Sequence, residues 1–134
     1  MAIDIDALLR RVVGDVFAAD VRVDYSTEKA PHEHRVRLTD PSGTRHAGLR
    51  ASYEWFEAVV FDLDVSTALY DYDDEEDDKE AVLRALALVV RAYLDGEGRI
   101  VQRRGLLRSS PVLRVEMLGR EWELGRRWSR PHYP

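Results

Sequence analysis

Ile5, Leu8, Leu9, Val12, Val13, Val16 and Phe17 recur at three- and four-residue spacing. That period predicts an amphipathic helix over residues 4–19, capped by Asp4 or Asp6, slightly weakened by Gly14 and ending before Asp20. The period then drops to two. Val21, Val23 and Tyr25 alternate with Arg22 and Asp24, and His34, Val36 and Leu38 alternate with Arg35 and Arg37. Two half-buried strands follow, with a loop at 26–31 between them. Asp40-Pro41-Ser42-Gly43 is turn chemistry, and a third strand is expected at about 45–52. The stretch from Tyr53 to Tyr72 is dense in aromatic and aliphatic residues. It predicts two strands, about 54–62 and 66–72, central in a sheet and joined by a tight turn near Asp64. Ala58-Val59-Val60-Phe61 does not alternate cleanly, so part of this region should be covered on both faces.

A second helix is expected over about 76–95, with Gly96 as its stop. Its apolar positions, among them Leu83, Leu86, Val89, Val90 and Tyr93, cover much of the circumference, so it should pack on the sheet and on another element. Beyond it, Ile100 and Val101 form a short strand, and residues 105–111 read as a loop. Leu113, Val115 and Met117 then return through Gly119 to Trp122 and Leu124 as a hairpin. Residues 125–134 have no period. The order is helix, five strands, helix, three strands. Short connections favour antiparallel pairing, so the expected fold class is α+β: a two-layer domain with a mainly antiparallel sheet of about five to eight strands and two helices.

A chain of 134 residues fits one domain, residues 1–134. The absence of cysteine removes disulfides, thiolate catalysis and cysteine-based metal sites, and fits a reducing cytoplasm. The acidic N-terminus lacks the basic region of a signal peptide. No apolar run approaches the ~18 residues of a membrane span.

Charge changes the picture more. The net charge is −5, but residues 62–80 carry one basic and ten acidic side chains, and residues 99–134 carry nine basic and three acidic ones. The two regions either neutralise each other in the fold or present a dipolar surface to a charged partner. Asp73, Asp74, Glu75, Glu76, Asp77 and Asp78 open the second helix, where its dipole favours carboxylates. They are the candidate partner-binding patch, suited to a protein with a basic surface. The basic tail, with Arg126, Arg127, Trp128, Arg130 and His132, is a candidate secondary surface or a strap on the core.

Catalytic chemistry has little to stand on. Asp71, Asp73 and Glu75 begin like a calcium loop, but Glu76 and Val82 stand where that loop needs glycine and glutamate. His32, His34 and His46 would bind zinc only if the strands brought them together, and no metal is expected. Glu54 with Glu57, or Asp62 with Asp64, would make an acid–base pair, although alternating acids usually mark a wet strand face. There is no nucleophile elbow, phosphate loop or dinucleotide fingerprint, so no cofactor is expected. The overall acidity argues against nucleic acid.

In size, in the block Asp73 to Asp78 and in the aromatic stretch Tyr53 to Tyr72, the chain resembles the small immunity proteins that bacteria pair with secreted toxins. The resemblance implies a non-enzymatic cytoplasmic inhibitor that occludes a basic active site. A secretion-chaperone-like adaptor would instead expose an apolar face. A ligand-binding or enzymatic domain would need a pocket lined by Trp55, Tyr70, Tyr72 and Trp122.

Overall fold

The computed structural model describes residues 3–29, 32–105 and 109–126. Helix α1 spans Ile5–Val16, strands β1 to β5 are Arg22–Lys29, His32–Thr39, His46–Ala51, Trp55–Val60 and Val65–Tyr70, and helix α2 is Glu76–Leu94. Strands β6, β7 and β8 are Arg99–Arg104, Ser109–Met117 and Arg120–Arg126. All eight strands form one antiparallel sheet in the order β1-β2-β3-β4-β5-β8-β7-β6. The expected α+β class with two helices is therefore observed. Strands β4 and β5 are central, and α2 carries the chain from β5 to the far edge. Among the described residues the return through β7 and β8 is joined to β5 by two residue pairs, Val65 with Arg126 and Ser66 with Gly125.

Local chemistry explains the element ends. Asp4 caps α1, its carboxylate accepting the Ala7 N–H at 3.0 Å. The helix stops at Val16, short of the expected 19, because Phe17 turns to an extended backbone while its N–H still bonds Val13. Gly96 adopts φ +86° just beyond α2 and donates to the Tyr93 carbonyl. Asp64 (φ +53°) makes the tight turn between β4 and β5, and Leu118 with Gly119, both left-handed, close the β7–β8 hairpin.

Four strand ends also extend beyond expectation. Strand β1 runs on through Ser26 to Lys29, where a loop is expected, because Ser26, Thr27 and Glu28 stay in register with Arg35, His34 and Glu33. Strand β6 extends to Arg104 and β7 begins at Ser109, shortening the expected 105–111 loop. Strand β8 continues to Arg126. Each extension is polar, and backbone pairing with a neighbour, not apolar alternation, decides it.

Register sorts the side chains into two sets. Val36, Leu38, Ala47, Leu49, Ala51, Phe56, Ala58, Val60, Leu113, Val115, Trp122 and Leu124 share one core with the apolar faces of α1 and α2. Helix α2 packs on β3, β4 and β7 and also on α1, as its wide apolar face requires. The opposite sheet face is not simply wet. Every residue of β4 is buried. There Phe61 lies against Gly48, where an added Cβ would stand 2.8 Å from the Val36 carbonyl oxygen and 3.0 Å from the Phe61 ring. Arg37 stacks on the outer side of that ring. No helix among the described residues is long and apolar enough to cross a membrane.

Candidate functional site

The acidic block lies where β5 hands over to α2. Asp73, Asp74, Glu75, Glu76, Asp77 and Asp78 are all exposed. Only Glu76 meets an arginine among the described residues, Arg11 at 3.4 Å. The nearby guanidiniums are committed elsewhere: Arg11 and Arg84 both bind Glu80, holding its carboxyl below the usual range, and Arg84 also binds Asp15. Arg126 ends β8 paired in register with Val65, away from the block. Arg127, Trp128, Arg130 and His132 lie outside the described residues.

Two residues hold the block from beneath. Lys79 is fully buried. Its ammonium donates to the Asp71 carbonyl at 2.9 Å, stands 3.5 Å from the Asp71 carboxylate and lies 4.6 Å over the Tyr53 ring. The Tyr53 hydroxyl donates to Asp74 Oδ1 at 3.0 Å, and this bond raises the phenol's affinity for its proton. The Asp71 N–H bonds the Glu54 carbonyl, and the Asp73 N–H bonds the Asp71 side chain. The corner is thus fastened to the β3–β4 turn and to β5. Tyr70 and Tyr72 stack beside it with centroids 6.0 Å apart, 58 % and 69 % exposed.

Tertiary structure enlarges the patch in a way the linear charge pattern does not show. The pairs Arg11–Glu80 and Arg84–Asp15 run in step, so α1 and α2 lie parallel. Both N-terminal ends, with Asp4 and Asp6 on one and the acidic block on the other, fall at the same end of the molecule. Two positive helix ends stabilise the carboxylates that crowd there.

Asp71, Asp73 and Asp78 bring one oxygen each within 4.8 Å of one another. Three oxygens fall short of the six to eight that calcium takes, and the Lys79 ammonium already meets Asp71. The histidines do not converge. His34 faces the helix side near Thr27 and Asp6, while His46 sits at the other end of β3 on the opposite face. The side chain of His32 is outside the described set.

Neither candidate acid–base pair forms. Glu54 is exposed, but Glu57 is fully buried, against the wet-face expectation. Glu57 accepts from Arg50 Nη1 at 3.1 Å, and Arg50 donates from Nε and Nη2 to the two oxygens of buried Glu33, both at 3.0 Å. Arg35 also binds Glu33. Strand pairing sets Arg50 directly opposite both Arg35 and Glu57, and Glu33 neutralises the like-charged pair. The sequence signal was a lone charge inside each of two apolar runs, Leu49-Arg50-Ala51 and Phe56-Glu57-Ala58.

Asp62 and Asp64 part company too. Asp64 is exposed in its turn. Asp62 takes the Tyr93 hydroxyl at 2.6 Å, the His46 N–H at 2.7 Å and the His46 ring at 2.9 Å. Burial pushes the Asp62 carboxyl up, but these bonds outweigh it and hold it below the ordinary value. Asp62→Asn should therefore cost about 1 kcal/mol at neutral pH. The carboxylate's contribution is full above about pH 4 and is lost as pH falls through its lower folded value. Urea titrations of the two proteins should differ at pH 7 and converge in acid.

Nor do Trp55, Tyr70, Tyr72 and Trp122 line one pocket. Trp55 and Tyr70 are cross-strand neighbours on the face away from the helices. Trp122 lies in the core beneath α2, its indole N–H bonded to the Met117 carbonyl. A cleft of about 440 Å³ opens instead at the C-terminal ends of the helices, between Phe17, Pro41 and Leu94. Its charged lining residues are Asp15, Asp20, Arg91 and Asp95, of which Asp15 pairs with Arg84 and Arg91 with Asp95. Compared with known protein families, curated proteins and solved structures, the chain matches none.

Proposed function

We propose that this chain is a non-enzymatic protein-binding domain that receives a basic surface on its acidic corner, acting as an immunity-type inhibitor over a toxin's cationic active site. One observation carries the reading: five exposed carboxylates, Asp73, Asp74, Glu75, Asp77 and Asp78, have no basic partner among the described residues and stand beside an exposed tyrosine stack. Carboxylates steer a cationic partner in and fix its register, and tyrosine rings accept its arginines and lysines by cation–π contact while burying apolar area. The corner is braced by Lys79 and Tyr53, so little ordering entropy opposes binding. An adaptor would need a broad apolar face. The exposed large apolar residues among those described are Tyr70, Tyr72, Ile100 and Leu118, and only the tyrosines adjoin.

The reading expects a secreted toxin domain encoded beside this gene, and the test is co-expression with that domain. The wild-type chain should restore growth and bind the purified toxin with an affinity that falls steeply with salt. Replacing residues 73–78 by Asn and Gln should weaken binding about a hundredfold or more, with little change in the unfolding midpoint. Undiminished binding by that variant, or a wild-type chain that gives no protection, would remove the proposal.

A further inference from the structure

We propose that β6 is a docking edge for an extended acidic segment of a partner protein, which adds to the sheet as a further strand. This surface is separate from the acidic corner and does not depend on it. Among the described residues strand β6 pairs only with β7, so alternate residues turn their N–H and C=O groups outward, and five of its six residues are exposed. Proteins usually shorten, twist, cover or charge such an edge. This one is marked by charge of a single sign: Arg99, Arg103 and Arg104, with no acid on the strand. The other edge, β1, mixes signs, and its Arg22 and Asp24 pair with each other.

The charges at the β6 end run in stripes. On the face away from the helices, Glu121 and Glu123 of β8 are held by Arg99 and Arg103 of β6, with Arg114 of β7 between them. An incoming strand with Glu or Asp at alternate positions continues this alternation beyond β6. On the helix side it meets Arg104, which makes no ion pair among the described residues, and Ile100, an aliphatic side chain 56 % exposed. A second copy's β6 is a poor occupant, because antiparallel self-pairing sets arginine against arginine. The basic edge thus disfavours self-association and favours an acidic strand. Backbone bonds supply affinity, and the arginines select for acid.

The probe is a short peptide alternating glutamate with valine, followed by amide exchange and NMR shifts on the full chain. Binding should protect β6 amides selectively and weaken with salt. A peptide of the same charge with proline in place of a central valine and an N-methylated glutamate beside it loses an inward N–H donor in either register and should bind at least about tenfold more weakly. Arg103→Glu with Arg104→Glu should weaken the valine peptide about tenfold or more. Equal binding of the proline peptide, protection elsewhere than β6, or no binding at millimolar peptide would each overturn the proposal. So would β6 amides already protected in an oligomer before peptide is added, since the occupant would then be a second copy.

Discussion

Arg50→Met should lower the unfolding free energy by about 3–5 kcal/mol in urea titrations, a loss typical of breaking a buried ion network from one side. The side chain sits in the third strand, 7 % exposed, between Glu33 at 2 % and Glu57 at 0 %. Methionine preserves most of the volume, so the loss reads the charge and not a cavity. Glu33 keeps Arg35, but Glu57 loses the guanidinium 3.1 Å away. Two negative charges then share a buried site with one arginine removed. Adding Glu57→Gln to Arg50→Met should recover a substantial part of the loss, because a neutral amide costs far less to bury than a carboxylate. A single variant that loses under about 1 kcal/mol would show the site to be wetter than its exposure indicates.

That network marks the boundary of what alternation can reveal. Helix α1 and the core face of β2 were legible because one face of each is apolar and the other polar, so the period states which side is buried. Strand β4 was only half legible. Its run of Ala58, Val59 and Val60 announced double-sided burial, but the same burial turned Glu57 from an expected wet-face acid into a buried ion. The far end of β1 and most of β6 were missed for the opposite reason. Their side chains are polar on both faces, and the strand exists through hydrogen bonds to a neighbour that no local pattern encodes.

The acidic block was legible as charge and as a helix start, since a run of carboxylates before an apolar-periodic segment suits the positive helix end. What lay beyond the sequence was its company. Parallel packing of α1 and α2, driven by their apolar faces and marked by Arg11 meeting Glu80 and Arg84 meeting Asp15 across about 70 residues of chain, gathers Asp4 and Asp6 to the same end. Those pairings also take up the arginines nearest the block, which reach none of its carboxylates but Glu76 among the described residues. The carboxylates stay available because their neighbours found other partners.

Lys79 is the sharpest test of whether that corner is built or merely charged. Lys79→Met keeps the stem over Tyr53 and removes the ammonium that holds the Asp71 carbonyl, so stability should fall by about 2–3 kcal/mol in urea. Adding Asp71→Asn should recover part of it by removing the carboxylate left beside an apolar side chain. Binding to the basic partner separates two explanations with opposite signs. If attraction depended on net charge alone, deleting a cation beneath an acidic patch would tighten the complex. If affinity depends on the carboxylates being held in place, releasing the segment from Asp71 to Asp78 adds an ordering cost and weakens the complex despite the more negative charge. The bracing of the corner from two sides favours the second outcome: Lys79 grips the end of β5, Tyr53 holds Asp74, and the exposed carboxylates project from that frame. Titration calorimetry at two salt concentrations should show weaker binding at both, with the deficit carried by entropy, whereas tighter binding at low salt would reduce the corner to a diffuse negative field.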